Sequence, residues 1–144
     1  MKKNILTLAT ILLMSISAFA QDGMNKLEQL PANAQQFVKT YFSDYIITYV
    51  FNDKEFADKD YKVRFEDGTE VKFNAKGEWT EVGSEQKCIP TGFILKEITD
   101  YVEMNHQGMC ITDVEKEFNR IKIELNDNIE IEFNSKGKLI SYDD

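Results

Sequence analysis

Residues 61–82, with the sequence YKVRFEDGTEVKFNAKGEWTEV, decide the fold of this chain. Tyr61, Val63 and Phe65 alternate with charged residues, which predicts a strand with one buried and one solvated face. Val71 and Phe73 alternate in the same way and predict a second strand. A short loop that ends in glycine separates the two strands. The segment therefore predicts an antiparallel hairpin.

The length of that loop sets the register of the hairpin. A two-residue turn at Asp67 and Gly68 would place Phe65 opposite Glu70 and mix apolar and charged side chains on one face. A three-residue loop at residues 66–68, with Gly68 in the left-handed conformation, keeps the apolar residues together. The predicted partners are Tyr61 with Phe73, Val63 with Val71, Phe65 with Thr69 and, across a second glycine-ended loop at residues 75–77, Phe73 with Trp79.

Residues 121–142, with the sequence IKIELNDNIEIEFNSKGKLISY, repeat this pattern sixty residues later. Chance alternation could produce matching apolar positions, but it does not readily produce matching loop residues as well. The identical positions are Lys62 and Lys122, Asp67 and Asp127, Glu70 and Glu130, Phe73 and Phe133, Asn74 and Asn134, Lys76 and Lys136, and Gly77 and Gly137. We interpret this as an internal duplication.

Each duplicated segment follows a predicted helix. In the first half an apolar stripe recurs at steps of three and four residues after Pro31, and a similar stripe follows Pro90. Each half therefore reads as one helix followed by four strands. The predicted fold class is α+β, with two tandem repeats at about residues 30–88 and 89–144, each a helix packed on a four-stranded antiparallel sheet. The two sheets could join into one continuous eight-stranded sheet.

The start of the chain predicts export. Lys2 and Lys3 precede an apolar run at residues 5–16, and the small-x-small site Ala18-Phe19-Ala20 follows, as in a secretory signal peptide. We expect cleavage after Ala20 and a periplasmic or secreted protein, residues 21–144, that forms one domain without membrane insertion.

The net charge argues against anionic partners. The chain has 17 basic and 25 acidic side chains and a formal charge of −8. Loss of Lys2 and Lys3 with the signal peptide would change this charge to −10. Phosphate backbones and anionic lipids need clustered Lys and Arg, so we expect no nucleic-acid partner.

Two motifs identify a family resemblance. They are LPxxAxxFVxxYF from Leu30 and the pattern D-G-x-E-x-x-F-x-x-x-G-x-W, which runs from Asp67 to Trp79. With these motifs the chain resembles the PepSY-like, or β-lactamase-inhibitor-like, family of small exported bacterial proteins. The second copy departs from the pattern, with Asn128 in place of the glycine and Leu139 in place of the tryptophan. The resemblance implies two helix-on-sheet units and a role as an inhibitor or binding module.

The predicted register assigns a group of residues to the sheet face opposite the helices. A protein or peptide partner could bind this mixed-charge face, although such a face is often only solvated. The candidate partner-binding residues are Lys62, Arg64, Lys72, Thr80, Lys122, Ile140 and Tyr142, and the same register turns Val82 outward. The loop tips Asp67 and Asp127 are further candidates, with the alternative that each Asp serves only its own turn.

Enzyme chemistry has little support in the sequence. His106 is the only histidine, and no nucleophile, phosphate-loop or metal motif is present, so we expect no cofactor and no metal. A helix between Cys88 and Cys110 would hold the two residues far apart, so we expect free thiols. The predicted function is a non-enzymatic, monomeric binding module. The alternative is a small-ligand carrier, which would require a cavity between the helices and the sheet.

Overall fold

The computed structural model describes residues 26–53 and 60–143. The predicted signal peptide and its cleavage site lie outside the described residues. Within them, no helix is long and apolar enough to span a membrane. The elements are α1 (Ala32–Tyr41), β1 (Ile47–Asp53), β2 (Asp60–Phe65), β3 (Glu70–Phe73), β4 (Trp79–Gly83), α2 (Lys96–Asn105), β5 (Ile111–Glu117), β6 (Arg120–Leu125), β7 (Glu130–Asn134) and β8 (Leu139–Asp143).

The eight strands form one antiparallel sheet in the order β1-β2-β3-β4-β5-β6-β7-β8. The α+β class and the continuous eight-stranded sheet are therefore confirmed. The strands β4 and β5 join the two halves, with Val82 paired to Val114 and Gly83 to Asp113. Strands β1 and β8 are the two edges of the sheet.

The predicted hairpin register is confirmed. Tyr61 pairs with Phe73 and Val63 with Val71, and the Phe65 amide donates to the Thr69 carbonyl at 2.9 Å. Gly68 has a φ of +87°, as the three-residue loop requires. The corresponding hairpin of the second half pairs Ile121 with Phe133 and Ile123 with Ile131, and Asn128 takes the left-handed conformation there with a φ of +65°.

Both helices pack on the same face of the sheet, which we call the helix face. In the first half Phe42 of the α1 C-terminus stacks on Phe65, with ring centroids 5.0 Å apart, and Phe37 meets Phe73 edge-on at 5.5 Å. In the second half Tyr101 of α2 meets Phe133 edge-on at 5.4 Å. These contacts bury the apolar stripes of both helices.

The start of α1 lies directly on the loop between β3 and β4. Gly77 has a φ of +77°, and a Cβ atom there would lie 2.9 Å from the Ala34 backbone nitrogen. The Asn33 side-chain amide also donates to the Lys76 carbonyl at 3.1 Å. This loop therefore fixes where the helix begins relative to the sheet.

Two strand irregularities overturn part of the predicted outward face. The β3–β4 register skips Thr80, and the β7–β8 register skips Ile140. An extra residue on one strand changes which of the following side chains face the core. Val82 consequently pairs with Val71 and is fully buried, and Tyr142 pairs with the core residue Ile131. The prediction that Val82 and Tyr142 point away from the helices is wrong.

The prediction of free thiols is also wrong, because Cys88 and Cys110 form a disulfide with a Cα separation of 5.6 Å. The predicted helix began at Pro90, but α2 begins only at Lys96. Before that helix the chain returns to β5, where the Ile89 amide donates to the Ile111 carbonyl at 3.0 Å. This contact brings Cys88 beside Cys110. Residues 90–95 connect this contact to α2 and include a turn, in which the Ile94 amide donates to the Thr91 carbonyl at 3.0 Å.

Candidate functional site: the open face of the sheet

The side of the sheet opposite the helices is called here the open face. Its residues alternate with a buried row that runs across six strands, β2 to β7. The row contains Val63, Val71, Val82, Val114, Ile123 and Ile131. The strand register then gives two rows on the open face. The first row contains Tyr49, Arg64, Glu70, Gly83, Asp113, Glu124, Glu130 and Asp143, and the second contains Phe51, Lys62, Lys72, Glu81, Glu115, Lys122, Glu132 and Ser141.

Ion pairs between neighbouring strands order the cations of the first half. Glu70 accepts from Arg64 Nη1 at 2.7 Å and lies 3.1 Å from Lys62 Nζ. Burial raises the pKa of the Glu70 carboxyl, but the hydrogen bonds from Lys62 and Arg64 outweigh burial and lower the pKa overall. Lys72 donates to Glu81, and this bond raises the pKa of the lysine. The three cations are thus held in place by carboxylates of the same face.

The second half of the open face has an excess of acid. Lys122 pairs with Glu130 at 2.8 Å, and Arg120 pairs with Glu132 at 3.2 Å. Asp113, Glu115 and Glu124 form none of the ion pairs found within the described residues. The two halves of this face therefore differ in charge, although they share one register.

Asp113 is the most perturbed acid of the open face. Its carboxylate lies over Gly83 on the adjacent strand, in the space that a Cβ atom would occupy there. Burial raises the pKa of Asp113 to about 6, with further upward contributions from Glu81, Glu124 and Glu115. Burial and like charge both disfavour the ionised form of a carboxyl group. Protonation of Asp113 thus changes the charge at the centre of this face close to neutral pH.

A depression of about 690 Å³ lies over this central region. Its walls include Arg64 and Glu70 from the first half and Asp113 and Glu124 from the second half. Loop residues Gly68, Asn126 and Asn128 close one end. The recess is open to solvent and mostly polar, so that it suits a polar protein surface better than an apolar small molecule.

The structure brings together four of the predicted binding residues, because Lys62, Arg64, Lys72 and Lys122 all lie in the two rows of the open face. Thr80 and Ile140 occupy the irregular positions of β4 and β8. Tyr142 lies with the core row instead, where its ring stacks on His106.

The two predicted loop tips belong to the β2–β3 and β6–β7 hairpins. Asp67 accepts a hydrogen bond from the Thr69 amide at 3.0 Å and lies 3.9 Å from the Lys87 ammonium. Its side chain thus serves its own turn, as the alternative interpretation held. Asp127 occupies the corresponding place in the second half, in a loop whose Asn128 amide donates to the Leu125 carbonyl at 3.0 Å.

Sequence reasoning missed several residues of this face, namely Tyr49, Phe51, Glu81, Asp113 and Glu115. Period-two alternation around Val114 could have identified Asp113 and Glu115, since Val114 is fully buried. Tyr49 and Phe51 likewise alternate around Val50, which pairs with the buried Val63. No sequence pattern identified Glu81, because the irregularity at Thr80 determines the face of the sheet on which its side chain lies.

The recesses on the helix side open to solvent, one of about 490 Å³ beside α2 and one of about 650 Å³ beside Asn33 and Phe37 of α1. The space between α1 and the sheet is filled by aromatic rings, with Phe37 contacting Tyr41, Phe73, Trp79 and Phe93. The clefts near Trp79 and Phe118 open to solvent at the end of the sheet, and Lys116 lies 4.2 Å above the Trp79 ring. In the described ranges 26–53 and 60–143, no three acid, His or Cys side chains are grouped so that they could bind a metal ion.

The sequence matches the model of a family described as "Putative beta-lactamase-inhibitor-like, PepSY-like" over residues 59–141. It has no significant match among curated proteins. None of these findings indicates an enzymatic family.

Three solved structures share the fold of this chain, and each covers 82% of it. A "putative calcium-regulated periplasmic protein" from Bacteroides thetaiotaomicron has 31% identity and a TM-score of 0.78, with 93% of its chain covered. A periplasmic protein of the DUF2874 family from Bacteroides vulgatus has 30% identity, a TM-score of 0.77 and 93% coverage. A second B. vulgatus periplasmic protein, of unknown function, has 28% identity, a TM-score of 0.75 and 94% coverage.

Proposed function

Because this chain belongs to the PepSY-like family, we propose that it is an exported, non-enzymatic module that binds a protein or peptide on the open face of its sheet. The proposal includes signal-peptide cleavage after Ala20 and a mature domain, residues 21–144, that arose by duplication of one helix and four strands. The periplasmic origin of similar structures supports export.

The observation that carries the proposal is the array of ion pairs that spans the open face. Side chains held by hydrogen bonds lose little conformational freedom when a partner binds, so less of the binding free energy is lost to ordering them. The Arg64 and Lys62 pairs with Glu70 and the Lys72 pair with Glu81 are of this kind. The uneven charge of the two halves would fix the orientation of a partner with complementary charge.

An inhibitor role is the more specific form of this proposal. The family description refers to β-lactamase inhibitors, and an inhibitor needs a broad polar surface that covers an enzyme cleft. The recess of about 690 Å³ gives the open face a shape into which a partner loop can project. The aromatic filling on the helix face argues against the carrier alternative.

Affinity capture from the envelope fraction of the exporting cell tests the proposal. The mature protein serves as bait beside a variant with Arg64→Ala, Lys72→Ala and Lys122→Ala. A matched control, with Lys39→Ala, Lys76→Ala and Lys136→Ala, loses the same charge away from the open face. We expect one partner to be retained by the wild type and the control and lost by the open-face variant.

Two results would contradict this proposal. Equal retention by all three baits would remove the open face as the binding surface, and a small molecule detected by native mass spectrometry would favour the carrier.

Since a similar structure is described as calcium-regulated, each capture is run both with millimolar calcium and with a chelator. If the partner is retained only with calcium, then calcium regulates binding, and the open face is still the binding surface.

A further inference from the structure

The exposed apolar side chains of this protein are concentrated at the two edges of the sheet. Nine large apolar side chains are exposed within the described residues, and six of them lie on or next to an edge strand. Ile46, Tyr49 and Phe51 belong to the β1 edge, and Leu139, Ile140 and Tyr142 belong to the β8 edge. Edge strands present unpaired backbone groups, so exposed apolar side chains there favour pairing with another chain.

Most of the β1 edge also lacks the charges that normally prevent such pairing. Residues 46–52, IITYVFN, include no charged side chain, although 29% of the whole chain is charged. The one charged residue of β1 is Asp53, at the C-terminal end of the strand. Natural edge strands are commonly protected by Lys or another charged residue. The absence of such protection over seven residues marks β1 as a strand that another strand can join.

We propose that the partner of β1 is the β1 strand of a second copy of this protein. Antiparallel pairing centred on Val50 would place Tyr49 of each copy opposite Phe51 of the other. These two residues are 42% and 54% exposed and both lie on the open face, so the pairing forms two cross-strand aromatic contacts. The contact is self-complementary, as a two-fold symmetric dimer requires.

No charge opposes a second copy of the chain at this edge. Two mature copies, each with an expected net charge of −10, repel one another over most of their other surfaces. The β1 edge is uncharged from residue 46 to residue 52, and the nearest cations on β2, Lys62 and Arg64, are both paired with Glu70. Contact between two β1 edges therefore brings together apolar side chains without opposing the acidic regions of the two copies.

The β8 edge is less suited to this role. It has five residues instead of seven. The Tyr142 ring is already stacked on His106 and contributes to its own subunit. A β1 dimer would extend the sheet from eight to sixteen strands and join the two open faces side by side. The expected solution state is then a dimer, which replaces the monomer predicted from the sequence.

Sedimentation velocity of the mature protein over a range of micromolar concentrations tests the inference. We expect a species of twice the monomer mass, and its complete loss in a variant with Tyr49→Lys and Phe51→Lys. Two controls should keep the dimer: Phe118→Lys, which changes a side chain that is 98% exposed, and Ile140→Lys on the other edge. A monomer at every concentration, or a dimer that is lost with Ile140→Lys alone, would overturn the inference.

Hydrogen exchange of the wild-type protein provides a second test that does not depend on the folding of any variant. Amide protection of β1 should rise with protein concentration, while that of β8 should stay constant. Protection of β1 that is independent of concentration would reject the β1 interface. The capture experiment described above uses Arg64, Lys72 and Lys122 instead, so the failure of one proposal can be distinguished from failure of the other.

Discussion

Tyr142 stacks on His106, with ring centroids 5.7 Å apart and ring planes inclined by 12°. This contact joins β8, the last strand of the sheet, to the C-terminal end of α2, where the His106 amide donates to the Val102 carbonyl at 2.8 Å. The last strand is otherwise exposed along its whole length. The stacked pair therefore holds an edge strand against the helix layer.

We expect Tyr142→Ala to lower the free energy of unfolding by about 1 kcal/mol, which is the size of an aromatic pair. His106→Ala should cost a similar amount, and the double variant should cost less than the sum because the two rings share one contact. Urea unfolding measures all three. Additive costs would show that the rings do not stabilise one another, and Ser141→Ala on the open face is the control.

The disulfide between Cys88 and Cys110 should stabilise the folded protein. It closes a loop with a sequence separation of 22 residues, for which the chain-entropy model gives about 3 kcal/mol. We expect the variant with Cys88→Ser and Cys110→Ser to unfold at a correspondingly lower urea concentration, with or without reductant. The oxidised wild type should not react with a thiol reagent until it is reduced, and rapid labelling of the untreated protein would contradict the bond.

Asp113 should make the stability of the protein depend on pH. Its pKa is about 6 in the folded protein against an ordinary value of 3.8, so the folded state binds the proton more tightly than the unfolded state. Stability is therefore lost as the pH rises from about 4 to about 6. Because the carboxyl is only partly buried, we expect Asp113→Asn to add about 1 kcal/mol at pH 7 and almost nothing near pH 4.

Urea titrations at several pH values test this sign, with Glu117→Gln on the exposed end of β5 as a control for charge removal. If Asp113→Asn raised the free energy of unfolding equally at pH 4 and pH 7, burial would not destabilise the ionised carboxylate. A loss at pH 7 would show that ionised Asp113 makes a favourable contact on the open face.

Gly68 and Gly77 are both required for stability, but for different physical reasons. Both have positive φ angles, but a Cβ atom at Gly68 meets nothing within 4 Å, whereas one at Gly77 would lie 2.9 Å from the Ala34 nitrogen and from the Pro31 side chain. We expect Gly68→Ala to cost about 1 kcal/mol for the backbone conformation alone. Gly77→Ala should cost about 2 to 4 kcal/mol, since α1 must also shift. Equal costs in thermal unfolding would exclude the packing contribution.

Local patterns in the sequence predicted most of the sheet. The alternation of Tyr61, Val63 and Phe65 and the glycine at position 68 were sufficient to give the correct register of the first hairpin. These signals are local, because cross-strand partners in a hairpin are close in sequence and the loop length determines which residues meet. The same reasoning placed Lys62, Arg64, Lys72 and Lys122 together on the open face.

The errors arose where one residue changes the pattern. No glycine or proline marks the irregularities at Thr80 and Ile140 in the sequence. Each irregularity reverses the face of the sheet on which the following side chains lie. Val82 and Tyr142 were misplaced for this reason. The disulfide was missed because the apolar stripe after Pro90 was interpreted as helix from its first residue, whereas Ile94 and Leu95 precede α2 and Ile94 closes a turn with Thr91.

The order of the strands in the sheet has a consequence for folding kinetics. Every strand pairs only with its neighbours in the sequence, so no strand has to insert between two others that have already formed. Contacts that are close in sequence are reached rapidly, because little loop-closure entropy is lost in forming them. We therefore expect this chain to fold faster than a Greek-key protein of similar length. Hairpin by hairpin assembly can then begin before all eight strands are in place.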